Sequence, residues 1–241
     1  MDTADSVRGM FGVGKPIFLL DLCSGRGGDI FKWDNAGIDR VMGVDNHGDS
    51  ISESIKRYKK VCKKVKTRIS FFHKDVLDIK LDLLLNQKKV QIIACQFALH
   101  YFDLETLIPE ISKSLVEGGY FIGVVPDGDV IDKLLDDNTV INNVELERSG
   151  PSSYYITLKN DCDDKKKTKQ YFEFRKESLK EYMVRKEDLL KICNKNDLYM
   201  DIIPWGVPES SFKNLKSEWG GNHISGLYFS FVFQKKKSLN E

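Results

Sequence analysis

The chain has 241 residues, of which 30% are charged and 41% hydrophobic, and its formal net charge is +1. This length fits one large α/β domain or a domain with a sizeable insertion. The near-neutral balance excludes an acidic-tail protein and a strongly basic nucleic-acid wrapper, although it permits a local basic patch. No apolar run approaches the roughly 20 residues of a membrane span, and residues 1–14 lack a secretory signal pattern. We therefore predict a soluble protein with no membrane partner.

The five cysteines are scattered along the chain and include no C-x-x-C pair. A disulfide framework or a structural zinc site requires closer, paired spacing. Isolated thiols are typical of a reducing compartment. We therefore predict an intracellular protein that binds no metal.

Short apolar runs alternate with helical patterns through the first half of the chain, and several of these runs end in an acid. The pattern predicts strands at 16–22, 41–45, 69–73, 90–95 and 120–125. It predicts helices at 29–36, 50–66, 81–86 and 104–116, the last stopped by Gly118-Gly119. Strands that alternate with helices in this way indicate βαβ units and a mainly parallel sheet.

The pattern changes after Pro126. A short helix at 131–136 precedes two predicted strands, 154–158 and 171–174, which a charged loop tip at 160–169 separates. The remaining predicted elements are an extended segment at 181–184, a helix at 185–194, and strands at 198–204 and 227–233. We predict a single domain over 1–241, with a cofactor-binding half at 1–125, an insertion at 126–197 and the final strands at 198–241.

A glycine-rich turn, Asp21-Leu22-Cys23-Ser24-Gly25-Arg26-Gly27-Gly28, follows the first predicted strand. Such a turn lets a ligand approach the backbone and the amides of the next helix. Asp45 follows Gly25 by 20 positions, a spacing that suits a carboxylate on the ribose hydroxyls of an adenosine cofactor. Asp75, after the third strand, is placed for the adenine edge. The spacing leaves nicotinamide dinucleotides and S-adenosylmethionine open, although Cys23 breaks the G-x-G-x-x-G fingerprint of the former.

Two motifs together resemble the mRNA cap guanine-N7 methyltransferase family. The first is the segment 21–33, which ends in Gly-Gly-Asp-Ile-Phe-Lys-Trp where the family has Gly-Gly-Asp-Leu-x-Lys-Trp. The second is Gln96-Phe97-Ala98-Leu99-His100-Tyr101, which matches the family's Gln-Phe-x-x-His-Tyr loop. The resemblance runs from about residue 17 to 235 and extends to Arg57-Tyr58, Glu181-Tyr182 and the closing segment 227–233.

The resemblance implies a class I (Rossmann-like) α/β fold: a mostly parallel seven-stranded sheet with helices on both faces and a small inserted β-rich lobe beside the cap pocket. It implies methyl transfer from S-adenosyl-L-methionine to N7 of the guanine cap of mRNA, with S-adenosyl-L-homocysteine as product and no metal. The implied partners are a capped RNA 5′ end (GpppN) and other capping-enzyme domains or subunits.

Carried over position by position, the resemblance implies two residue sets. The donor would be bound by Asp21, Cys23, Ser24, Gly25, Asp45, Asp75, Gln96 and Tyr101. The cap would be bound by Arg26, Lys32, Arg57, Phe97, His100, Glu181 and Tyr228. No residue is assigned as a general base, because guanine N7 has a lone pair and no proton. Catalysis would be positional, with Glu181, His100 and Tyr101 orienting the guanine.

The chemistry of these side chains agrees with the implied roles. Three cations beside the glycine turn suit a triphosphate bridge. Glu181 can accept hydrogen bonds from the N1–H and amine of guanine, and Phe97 and Tyr101 can stack on the base. Plainer alternatives stay open: an imidazole satisfied by the backbone for His100, a surface carboxylate for Glu181 and a core ring for Tyr228. The basic stretch 56–68 is either a solvated helix face or part of an RNA path. Arg57 is the exception within it, because it matches a cap-contact position of the family.

Two departures from the family pattern are visible. Cys23 replaces a glycine of the first motif, and residues 1–15 do not match the family's longer N-terminal helix with its donor-contacting lysine. Either Arg8 or Lys15 substitutes, or the missing piece lies upstream in a longer protein, as in viral multifunctional capping enzymes. A viral origin would place the protein in the cytoplasm or virion, and a cellular one in the nucleus.

Two other functions remain open from the sequence. One is a catalytically weak or inactive subunit that docks RNA in a capping complex. The other is a class I methyltransferase for another RNA position or a small molecule.

Overall fold

The structure is a computed structural model that describes residues 15–137, 144–158, 179–200 and 227–237. The predictions for residues 1–14, the loop at 160–169, the strand at 171–174 and the end of the strand at 198–204 lie outside these ranges.

The main sheet has seven strands, which we number with all other strands in chain order. They are β1 Phe18–Leu22, β2 Arg40–Asp45, β3 Arg68–His73, β4 Val90–Gln96, β5 Leu115–Pro126, β9 Leu198–Met200 and β10 Tyr228–Lys235. Their spatial order is β3-β2-β1-β4-β5-β10-β9. Neighbours from β3 to β5 are parallel, and β10 is antiparallel to both β5 and β9. The predicted mostly parallel seven-stranded sheet is confirmed. Strand order reverses between β1 and β4, and ligands of open α/β sheets bind at the carboxyl ends of strands at such a point.

Helices cover both faces of this sheet. They are α1 Ile30–Asn35, α2 Gly48–Val61, α3 Leu81–Leu84, α4 Leu104–Ser114 and α6 Lys186–Lys195, whereas α5 Gly128–Asp136 packs against the inserted lobe. Successive residues of a strand point to opposite faces, so Leu19 packs in the core shared with α1 and α2, whereas Leu20 packs in the core shared with α3, α4 and α6. Both faces of β1 are therefore buried, which explains its continuous apolar sequence.

A second, antiparallel sheet contains β6 Val144–Gly150, β7 Ser153–Leu158 and β8 Leu179–Tyr182. Tyr154 and Met183 pack with Ile131 of α5 and with Leu227 beside β10. Arg148 of β6 binds Asp132 and Asp136 of α5 at 2.6 and 2.7 Å. This lobe confirms the predicted β-rich insertion, although β6 itself was not predicted.

Three predicted helix ends are wrong. α2 ends at Val61, not at residue 66, because the amides of Lys66 and Thr67 bind the Asp34 carboxylate and not helical carbonyls. α3 ends at Leu84, short of residue 86. α4 ends at Ser114, because Leu115 pairs with Val90 and begins β5. The Gly118-Gly119 pair therefore lies inside a strand and does not stop a helix.

Candidate active site

The turn between β1 and α1 has a tightly coiled backbone. Cys23, Gly25 and Gly27 all have positive φ, at 59°, 55° and 69°. This region disfavours residues with a Cβ, so Cys23 holds a conformation that glycine would adopt more easily. Ser24 Oγ in the same turn is buried and has no hydrogen-bond partner among the residues the structure describes.

Asp45 ties this turn to the end of β2. Its Oδ2 accepts a hydrogen bond from the Gly25 amide at 2.8 Å, and its Oδ1 accepts one from the His47 amide at 2.9 Å. An ionised carboxylate has about four lone-pair sites, so Asp45 retains acceptor capacity for ribose hydroxyls. The predicted partnership of the glycine turn with Asp45 is thus a direct contact.

Asp75 follows β3 by two residues, and His73, the last residue of β3, pairs with Asp45 in the sheet. Asn46 Nδ2 donates to its Oδ2 at 3.1 Å, and the Leu77 amide donates to its Oδ1 at 2.9 Å. A cavity of about 490 Å³ opens here, lined by Asn46, His73, Lys74, Asp75, Asp78 and Ile79. Its volume lies within the range of about 300–1,000 Å³ that small-molecule pockets occupy.

Asp21 is buried beneath the turn, at the end of β1. Burial raises its pKa well above the ordinary value, and the carboxylates of Asp29 and Asp45 raise it further, while Lys32 acts in the opposite direction. Asp21, Asp29 and Asp45 therefore lie near one another where the strand order of the sheet reverses. A ligand with positive charge would be favoured at this place.

The loop after β4 places three aromatic rings close together. Phe97 has φ of 56° and donates its amide to Val124 of β5 at 2.7 Å. Its ring meets that of Tyr228 edge to face, with centroids 5.2 Å apart. A short 3-10 helix at Leu99–Tyr101 places the His100 ring against the Tyr101 ring, with centroids 4.1 Å apart and planes tilted by 53°. The loop after β4 and strand β10 therefore together contribute the rings of an aromatic cluster.

Glu181 of β8 reaches this cluster and is only 4% exposed. Its Oε1 accepts a hydrogen bond from Tyr101 at 3.1 Å and lies 3.4 Å from His100 Nε2. Its Oε2 accepts a hydrogen bond from Tyr154 at 2.6 Å. Burial alone would raise the pKa of Glu181, but these three donors outweigh it and hold the pKa below its ordinary value. The site therefore contains a buried, ionised carboxylate.

The imidazole of His100 is not satisfied in the way that the plainer alternative requires. His100 is 3% exposed, its Nε2 faces Glu181, and its Nδ1 has no hydrogen-bond partner within the described ranges. The alternatives of a surface carboxylate for Glu181 and a backbone-held imidazole for His100 are both wrong.

The structure leaves two of the predicted cap cations apart from this cluster. Lys32 pairs with Asp29 at 2.5 Å, and its side chain is 79% exposed. Arg57 pairs with Glu53 one turn away on α2 at 3.3 Å. Arg26 is half-buried in the glycine turn itself. Gln96 ends β4 and is also half-buried.

Tyr154 is the site residue that the sequence did not indicate. It lies directly opposite Glu181 in the pairing of β7 with β8, and its side chain is buried. Burial and the nearby Glu181 charge raise the pKa of Tyr154 well above its ordinary value, so its hydroxyl remains a donor. The register that joins these residues comes from the pairing of two strands that are distant in sequence, for which the sequence carries no local signal.

The strand order and the acidic strand ends define a class I methyltransferase fold. Solved S-adenosylmethionine-dependent methyltransferases share it: one from Clostridium acetobutylicum has a TM-score of 0.58 at 16% identity, covering 97% of this chain and 89% of its own. One from Listeria monocytogenes has a TM-score of 0.57 at 16% identity, covering 98% and 99%. Residues 7–218 match the model of the mRNA (guanine-N(7))-methyltransferase domain, and the chain belongs to that family.

Relatives named mRNA cap guanine-N(7) methyltransferase agree with this assignment. The Candida albicans enzyme is 28% identical over 90% of this chain and 57% of its own length. The Arabidopsis thaliana enzyme 1 is 30% identical over 83% and 52%, and the Schizosaccharomyces pombe enzyme 37% over 49% and 34%. The chain thus spans about half the length, or less, of these relatives. Within the described ranges, no helix combines the length and the apolarity needed to cross a membrane.

Proposed function

We propose that the chain methylates N7 of the guanine cap of mRNA, using S-adenosyl-L-methionine and releasing S-adenosyl-L-homocysteine. The observation that carries the proposal is the buried, ionised Glu181 among aromatic rings. The glycine turn that Asp45 binds supplies a place for the methyl donor. Family membership supports the same assignment.

The residues around the turn fit the methyl donor. Asp45 has spare acceptor sites for ribose hydroxyls, and the Asp75 cavity has the size and polarity for an adenine. Ser24 Oγ offers a buried polar atom with no described partner, and the surrounding carboxylates favour a cation. When bound, the donor supplies a methyl group on a positively charged sulfur, which guanine N7 can accept with its own lone pair. The chain therefore needs no general base.

Glu181 would select and orient the purine. Tyr101, His100 and Tyr154 use three of the roughly four lone-pair sites of its carboxylate, so accepting from both N1–H and the exocyclic amine of guanine requires one of these donors to turn away. Adenine, in contrast, presents an acceptor at N1. With a proton on both ring nitrogens, His100 can donate from Nε2 to Glu181 and from the buried Nδ1 to guanine O6, and Tyr101 and Phe97 supply faces for stacking. Tyr154 and Tyr101 hold the carboxylate in one orientation, so the purine meets a preorganised acceptor.

The same charge would also lower the barrier. As N7 takes the methyl group, positive charge moves onto the purine, closer to Glu181. A preorganised anion in a dry site stabilises such charge more than water does. Arg26, Lys32 and Arg57 would bind the triphosphate, which requires Lys32 and Arg57 to exchange their carboxylate partners for phosphate.

The test is a substrate panel with methyl-labelled donor, comparing GpppA, ApppA and uncapped RNA. We expect label only in the product that comigrates with authentic m7GpppA after nuclease digestion. Glu181→Gln should lower turnover of GpppA by about a hundredfold, because it removes the charge of a buried, hydrogen-bonded acceptor. Glu187→Gln, on the exposed face of α6, is the matched control. Equal labelling of ApppA or of uncapped RNA would overturn the proposal.

The predictions of further capping-enzyme domains or subunits as partners, and of a nuclear, cytoplasmic or virion location, stay predictions.

A further inference from the structure

The segment from the second half of α2 to the end of β3 carries an unusual concentration of positive charge. Residues 54–74 contain nine lysines and arginines and no aspartate or glutamate, in a chain whose formal net charge is +1. The rest of the chain is therefore net negative. This asymmetry indicates an anionic partner for one part of the surface.

The lysines and arginines of residues 54–74 lie on both faces of the sheet. The alternating burial of β3 sends Ile69 and Phe71 into the core with α2, so Arg68 points to the opposite face. Ser54, Tyr58 and Val61 form the inner side of α2. At 100° per residue, the outer side of α2 carries the exposed Lys56, Lys59 and Lys60, and the exposed Lys63 lies in the turn that follows the helix. We call these four residues the lysine stripe.

Neither ion pairing nor the helix dipole accounts for the stripe. Within the described part of the chain, none of its four ammonium groups pairs with a carboxylate, and the two acids of α2, Asp49 and Glu53, lie in its first half. Cations in the last turn complement the helix dipole, but only Lys59 and Lys60 lie there. Two more lysines beside them raise mutual repulsion unless an anion is present.

The stripe is continuous with the candidate active site. α2 begins three residues after Asp45, and its Ser54 packs against Gly27 of the donor turn. Arg57, a predicted cap contact, lies on the same helix between that packing and the stripe. A chain of phosphates that leaves the cap pocket past Arg57 would therefore meet the four lysines next.

We propose that the lysine stripe binds the RNA nucleotides that follow the cap, through their phosphates. This inference rests on the proposed function, since it assigns the body of the same substrate. It predicts that the enzyme distinguishes a long capped RNA from a cap dinucleotide by affinity and not by turnover.

The test compares GpppA with a capped 20-nucleotide RNA for three proteins. These are the unaltered chain, a variant with Lys56, Lys59, Lys60 and Lys63 all changed to Gln, and a control with the same charge change. The control carries Gln at four exposed lysines remote from α2: Lys88, Lys113, Lys191 and Lys195. Circular dichroism and the GpppA turnover verify that each variant is folded.

We expect the stripe variant to raise the KM for the capped RNA by about tenfold while kcat and the KM for GpppA stay unchanged. The slope of log KM against log salt should fall by about 0.7 for each phosphate that the variant no longer binds, which the control should not reproduce.

Three results would overturn the inference. Equal KM values for GpppA and capped RNA in the unaltered chain would do so and leave cap methylation standing. An equal effect of the control would show that the position of the lysines does not matter. Reduced binding to phosphatidylserine vesicles with no change toward RNA would assign the stripe to lipid. No methylation of GpppA by the unaltered chain, in contrast, contradicts the proposed function itself.

Discussion

Glu181 depends on its neighbours for its charge, and Tyr154 makes the shortest of its hydrogen bonds, at 2.6 Å. Tyr154→Phe removes this donor and keeps the ring. We expect the pKa of Glu181 to rise, because its charged form is deprived of a donor. Methylation of GpppA should then lose activity at a higher pH as the solution is acidified, and kcat/KM at pH 7 should fall by about tenfold or more. The measurement is a pH profile of kcat/KM.

Tyr155→Phe is the control for this prediction, because Tyr155 is the next residue of β7 and is exposed on the other side of the small sheet. Donor binding, measured by calorimetry, should be unchanged in both variants. An acid limb that does not move in Tyr154→Phe would show that this hydroxyl only fills space.

At the residue scale, the sequence predicts contacts between residues at the ends of neighbouring parallel strands. It does not predict contacts that depend on strand pairing in the inserted lobe. Asp45 ends β2 and the glycine turn follows β1, its neighbour in the sheet, so their contact could be expected. The hydrogen bond between Tyr154 and Glu181 depends on a register between β7 and β8 that no local pattern specifies. Cys23 shows a related limit, because its positive φ comes from the turn and opposes its own preference.

At the scale of elements, the glycine turn and α2 approach each other closely at Gly27. A Cβ at Gly27 would lie 2.9 Å from Ser54 Cβ and 3.2 Å from its Cα, and the residue has a positive φ. Gly27→Ala therefore forces the turn away from the helix. We expect the free energy of unfolding to fall by about 2–3 kcal/mol, from backbone strain and overpacking together. Urea denaturation at pH 7 measures it.

Gly28→Ala is the matched comparison, since a Cβ there would meet no atom within 4 Å. It should leave the free energy of unfolding nearly unchanged. If both variants are destabilised equally, the packing of the turn against α2 is not what requires glycine.

Element boundaries also show where tertiary structure overrides local preference. The apolar pattern of α4 continues through Leu115 and Val116, but their backbone pairs with β4 and becomes strand β5. A side chain at Gly119 would collide with carbonyl oxygens of Val116 and Gln91, so that glycine serves strand packing. β6 alternates acidic with apolar residues at an exposed edge, and its sequence lacks the β-branched run that marks a strand.

At the scale of the whole molecule, the candidate site lies where the sheet reverses order and where Asp21, Asp29 and Asp45 meet. The fold could be predicted because the central strands are buried on both faces. The decrease in unfolding free energy that the clustered carboxylates cause could not be predicted from the sequence, because it depends on the distances between carboxylates on different elements. Carboxylates that repel one another at a partly buried site oppose folding unless a cation binds between them.

The pH dependence of the unfolding free energy tests whether these acidic groups oppose folding. The pKa of Asp21 is raised in the folded chain by burial first and by its acidic neighbours second. Its contribution to stability is therefore complete below its unfolded pKa of about 3.9 and is lost as the pH rises through the folded pKa. Asp21→Asn cannot ionise, so this loss does not occur in the variant. Its advantage in unfolding free energy over the unaltered chain should grow as the pH rises from about 3.9 toward the folded pKa, by up to about 1.4 kcal/mol per pH unit, and should level off above the folded pKa. Asp137→Asn, at an exposed helix end, should show no such growth, and a constant difference for Asp21→Asn would mean that the folded structure does not raise the pKa of Asp21.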